Sequence, residues 1–158
     1  MSKISEAIDV EMKSIFKMLK EAVSRIEGDF WKENKNNWMY GIFLWHTIET
    51  IEFYMSDSEE DFQPLSDVTQ HSEEKERAII LTKNKAFFEK YLVEVETKTF
   101  DVLGKMTEED FLENDGFAKR GVVSRLHKYL YMIRHTMVHL GELSKTLRDK
   151  DGKGIRWE

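Results

Sequence analysis

Apolar residues recur every three or four positions along most of this chain, with polar residues in the gaps. Between Ser5 and Ile26 the positions Ile8, Met12, Ile15, Leu19, Val23 and Ile26 keep that spacing, with Lys and Glu between them, which predicts a helix with one buried stripe. Gly28 and the polar run from Lys32 to Asn37 end it, and Asn36 or Asn37 is placed to cap the segment that follows. A second helix is predicted from about Trp38 to Met55. Periodicity then disappears from Ser56 to His71, a stretch rich in turn formers that holds the single proline, Pro64. Connections this long inside one domain are often functional, although a crossover between distant helices also uses them. Ser72, followed by Glu73 and Glu74, reads as the cap and acidic first turn of a third helix. Its face passes through Ile80, Asn84, Phe87, Tyr91, Val95 and Val102 to about Leu103, with Asn84 as the one polar break and Gly104 as its close. The run Thr107-Glu-Glu-Asp-Phe-Leu resembles a short capped turn, and a last long helix is predicted from Gly121 to about Asp149.

Four long helices, with a long connection between the second and third, predict an all-α four-helix bundle. The chain of 158 residues is expected to form a single domain over residues 1–158, with a core that needs no covalent staples. Mean hydropathy is -0.55 and no apolar run approaches the roughly 18 residues of a membrane span. The first residues lack the apolar core of a signal peptide, so a cytoplasmic protein is expected. A net charge of -6, spread along the chain, reads as solubility and argues against a nucleic-acid partner. Cysteine is absent, which excludes disulfides, thiolate-ligated zinc and a catalytic thiol carried by the protein.

Histidines are the remaining source of chemistry. His135 and His139 stand four apart in the last helix, offset by about 40° and one turn, within reach of one metal ion. The main apolar stripe of that helix is read as Val122, Leu126, Leu130, Ile133, Met137, Leu140 and Leu147, roughly 120° to 160° from the pair. Taken alone, the pair either lines a cleft or points at solvent. His46 shares a face with Met39, Ile42, Phe43, Thr50 and Phe53 and is expected to face the core, as a hydrogen-bonded imidazole or a metal ligand. His71 and His127 read as exposed or rim residues. None of the three histidines has Glu three residues before it, which argues against a carboxylate di-iron site. Thr136, Met137 and Val138 separate His135 from His139, so the His-Glu-x-x-His protease pattern is missing as well. Three neutral imidazoles suit zinc, nickel or another late divalent metal.

Leu44-Trp-His-Thr-Ile-Glu around His46 and His-Thr-Met-Val-His-Leu-Gly-Glu-Leu from His135 to Leu143 resemble the DinB/YfiT-like superfamily. The resemblance covers most of the chain in helix order and loop lengths, on short motifs. It implies that His46, His135 and His139 form a facial metal triad, with zinc, nickel or manganese as the ion. It also implies a reaction like that of the bacillithiol- and mycothiol-dependent thiol transferases or a mycothiol-dependent isomerase, and a homodimer. The partners would be a low-molecular-weight thiol and a small-molecule electrophile, which suits a chain that has no thiol of its own. An open metal position would equally bind water, giving a metal-dependent hydrolase. Glu49 and Glu142, one turn beyond His46 and His139, are the candidate base or ligand-orienting carboxylates, and each also reads as an ordinary solvated glutamate. Trp38, Tyr40, Trp45 and Tyr131 wall a pocket or belong to the core. The alternative of a different class is a non-catalytic bundle that binds a metal or small molecule, or dimerises.

Overall fold

Helix α1 (Lys3–Ser24) buries Ile8, Met12, Ile15, Leu19 and Val23, the stripe that its spacing predicts, and adds Phe16, Met18 and Ala22 on the flank. It belongs to a computed structural model that describes residues 3–35, 38–69 and 72–157. The chain then makes a 3-10 turn at Phe30–Lys32 and a two-residue antiparallel ladder, β1 (Asn34–Lys35) with β2 (Trp38–Met39). Helix α2 (Tyr40–Tyr54) starts two residues later than predicted, because Trp38 and Met39 are spent on that ladder. Its N-cap is Met39, with no side-chain bond to the helix. Asn36 and Asn37, expected to supply the cap, lie outside the described part of the chain. Gly41 is needed at the start of α2, since a Cβ there would come within 2.4 Å of the Trp31 ring.

The third predicted helix is two helices. Asn84, read from sequence as a polar break, is the N-cap of α4 (Lys85–Lys105), its side chain accepting the Phe87 N–H at 3.1 Å. Before it, α3 (Glu73–Ile80) has the expected acidic first turn, although the Ser72 hydroxyl makes no cap bond. Gly104 does not close α4, which runs one residue past it. The capping box of Thr107 and Asp110 at α5 (Glu108–Leu112) is as predicted. Gly121 ends a 3-10 turn in the left-handed region at φ 75°, and α6 (Arg125–Asp151) begins later than expected, capped by Ser124. The all-α expectation is met, with the short ladder and a single Ser58–Gly116 bridge as the extended pairing among the described residues.

The core is shared by four long helices, α2 packing on α6 and α4, and α1 on α4 and α6. Helix α2 is buried on most of its circumference, leaving Phe43, His46, Glu49 and Phe53 as its half-exposed stripe. The sequence reading put His46 in the core; it lies at the margin. The stripe read for α6 is also rotated. Tyr129, Met132, Thr136, Leu140, Leu143 and Leu147 are buried, whereas Leu130 is 53% exposed. Lys128, Thr136 and Ser144 lie on the buried side and weaken its hydrophobic signal. His135 and His139 consequently flank the core instead of pointing away from it.

The long connection after α2 is tied down by buried charge. The Glu52 carboxylate, fully buried, accepts from Leu65 N–H and from the Tyr91 hydroxyl, each at 2.7 Å. Lys128 Nζ, also buried, lies 2.5 Å from Asp115 Oδ2 and donates to Ser56 O at 2.8 Å, so α6 grips the end of α2. Among the described residues no helix is long and apolar enough to cross a membrane.

Candidate metal centre

Two helices from opposite ends of the chain bring three imidazoles together. His135 and His139, one turn apart on α6, have ring centroids 4.4 Å apart, and His46 of α2 approaches them at 5.8 and 5.2 Å. One nitrogen from each of the three lies within 4.8 Å of the others, and among the described residues this is the one such group of potential ligands. The two α6 rings face each other through Nε2 atoms 2.9 Å apart. Two nitrogens bound at about 2.1 Å to one ion lie about 3.0 Å apart at a right angle and about 3.4 Å apart at the tetrahedral angle. The α6 pair already has chelating separation.

Side chains around the triad fix its protonation. Glu142 Oε2 sits 2.7 Å from His139 Nδ1. A carboxylate only accepts, so His139 carries its proton on Nδ1 and turns the Nε2 lone pair toward His135 and His46. Burial, followed by the neighbouring charges of His139 and His135, pushes His46 down to about 4. His135 is also lowered, by burial and by His139, against the opposing pull of Glu142. Both are neutral at pH 7, the form that binds metal. The Phe43 ring packs edge-on against His139 at 5.1 Å, and Tyr131 stacks at 5.8 Å along His135.

Glu49 and His46 line a cavity of about 240 Å³ that Glu73, Glu76 and Arg77 of α3 close from the other side. Burial, then the charges of Glu76 and Glu52, push the Glu49 carboxyl up to about 7, with Arg120 pulling the other way. A second cleft of about 320 Å³ includes Phe43 and Glu142, both of which touch His139.

His46, His135 and His139 converge, Glu142 holds His139, and Glu49 shares a cavity with His46. Tyr40 and Trp45 are buried walls of the larger and smaller clefts respectively, and Tyr131 covers His135. The Trp38 side chain and His71 lie outside the described part of the chain. His127 is exposed, its Nδ1 accepting from Val123 N–H at 3.3 Å, and takes no part in the group. Sequence reasoning set Phe43 on the His46 face but missed its packing against His139. It also missed Glu76 and Arg77, which reach the site only through the docking of α3 on α2.

Three imidazole donors at this separation, with one tautomer fixed by a carboxylate, fit a late divalent cation such as zinc or nickel. Comparison of the chain with protein-family models, with curated proteins and with solved structures finds no match.

Proposed function

We propose that this chain is a divalent-metal-dependent enzyme with a DinB-like four-helix bundle, which conjugates a low-molecular-weight thiol to a small electrophile. The observation that carries the reading is the convergence of His46, His135 and His139, with His139 held by Glu142 in the metal-ready tautomer. These three residues would hold the ion, zinc or nickel before manganese. A divalent ion so held supplies open positions at which an external thiol binds as the thiolate. The chain's own residues would move the proton. Glu49, whose carboxyl titrates near 7 beside His46, accepts the proton of the thiol. The sulfur then forms a bond to the electrophilic carbon as the leaving group departs with that proton. Water in place of the thiol gives the hydrolase version of the same site. A cytoplasmic setting, where small thiols stay reduced, belongs to this proposal.

Elemental analysis of untagged protein beside His135→Ala tests the site, and mass spectrometry of products from a panel of electrophiles with thiol or water tests the reaction. About one equivalent of metal in the parent, little in the variant, and thiol adducts in the panel are expected. No metal after added zinc and nickel overturns the site. Bound metal with neither conjugation nor hydrolysis overturns the enzyme. A non-catalytic, dimeric bundle takes its support from exposed Val10 on α1 and Val93 on α4, and a dimer by light scattering together with an inert panel would favour it.

A further inference from the structure

The larger cleft lies between Phe30, Glu33, Met39, Tyr40 and Phe43 on one side and the second half of α6 on the other. Its floor is apolar, made of Phe30, Met39, Phe43 and Leu143, with the Tyr40 hydroxyl turned away to donate to Ala22 O at 2.9 Å. At about 320 Å³ it falls at the small end of ligand sites. Charges of both signs stand at its rim. Lys145 and Asp149 neutralise each other at 2.5 Å. Glu142 is held at His139, which leaves Glu33 and Lys150. Lys150 Nζ rests over the Phe30 ring at 3.8 Å, and neither it nor Glu33 makes an ion pair among the described residues. Glu33 N–H donates to Phe30 O at 3.1 Å, so both residues belong to the Phe30 end of the cleft. At the other end, Phe43 and Glu142 are the residues that touch His139.

A cation and an anion on the rim of one cleft, not paired with each other, above an apolar floor, are complementary to a molecule that carries the same two charges and an apolar body. We infer that this cleft binds a zwitterion of the α-amino-acid class. Its ammonium group faces Glu33, its carboxylate faces Lys150, and its apolar side chain lies over Met39 and Phe43 and points toward His139. The site requires no metal, and therefore goes beyond the proposed reaction. Both charged side chains are exposed, which limits the gain from each pairing and sets binding in the millimolar range.

Titration of chelator-treated protein, followed by amide NMR shifts, with phenylalanine, phenethylamine and hydrocinnamate tests this directly. Phenylalanine should saturate shifts confined to residues 30–33, 39–43 and 142–150, and bind about tenfold more tightly than either singly charged analogue. Glu33→Gln should weaken phenylalanine and phenethylamine but leave hydrocinnamate unchanged, and Lys150→Gln should weaken phenylalanine and hydrocinnamate but leave phenethylamine unchanged. Equal affinity for all three, saturation elsewhere, or no saturation overturns the inference. Because metal is absent throughout, these outcomes are independent of the metal content and conjugation assays that decide the proposed function.

Discussion

His46 and Glu49, one turn apart, should give the metal-free protein two opposing pH dependences that single substitutions separate. His46 titrates at about 4 in the folded chain against an ordinary 6.5. Unfolding lets it take up a proton anywhere between those values, so its contribution to stability is lost as pH falls from 6.5 toward 4. Glu49 runs the other way, with a folded value of about 7 against 4.5. The folded state holds that proton more tightly, so Glu49 destabilises above pH 7 and the loss is recovered as pH falls toward 4.5. The charges that shift His46 are the other two imidazoles, whereas those that shift Glu49 are Glu76, Glu52 and Arg120, so removing one group leaves the other's shift in place. At about 1.4 kcal/mol per unit, each contributes about 3 kcal/mol between pH 7.5 and 4.5, and roughly half that after discounting for partial exposure. His46→Gln should therefore gain about 1.5 kcal/mol on acidification relative to a protein lacking both groups, and Glu49→Gln should lose as much. Other carboxyl groups titrate alike in both variants and cancel in the difference. For a domain of this size the Tm profiles should diverge by about 6 to 12 °C across the window, read by circular dichroism in the presence of chelator. Parallel profiles would refute the assignment of burial and charge to these two side chains.

Glu142→Gln should weaken zinc binding about 10- to 100-fold, measured by chelator competition, because the amide no longer fixes the His139 tautomer by charge. Lys128→Met takes the nearer cation from the buried Asp115 carboxylate, leaving Arg125 Nε at 3.9 Å, and should cost about 3 kcal/mol in urea unfolding, while Lys128→Met combined with Asp115→Leu recovers most of the loss. Asn84→Ala removes the cap of α4 and should cost about 1 kcal/mol by the same measurement.

The main buried stripe of helix α1 was legible because it contains almost nothing polar, and the capping box at Thr107 was legible because its signal is local. Where polar residues share the buried face, as Lys128, Thr136 and Ser144 do on α6, counting apolar positions selects a neighbouring stripe and turns the histidine pair outward. Asn84 shows the same ambiguity from the other side, since a polar residue inside a periodic run is read as a flaw when it is a boundary. The spacing of His135 and His139 is visible in any helix. The arrival of His46, the grip of Glu142 on one ring nitrogen and the acidic wall from α3 depend on packing between segments far apart in sequence.

That division of labour within the triad has a consequence for how the protein is assayed. The His135 and His139 pair needs only the middle of α6 to be helical, whereas His46 joins it only when α2 is docked. An unfolded chain with residual helix in α6 therefore keeps a two-imidazole chelator. An ion that binds folded and unfolded chains alike stabilises neither, and its effect on melting reflects only the affinity that His46 adds. Thermal-shift screening of metals should accordingly rank them by their demand for a third nitrogen rather than by total affinity. Direct equilibrium dialysis would recover the order that melting conceals.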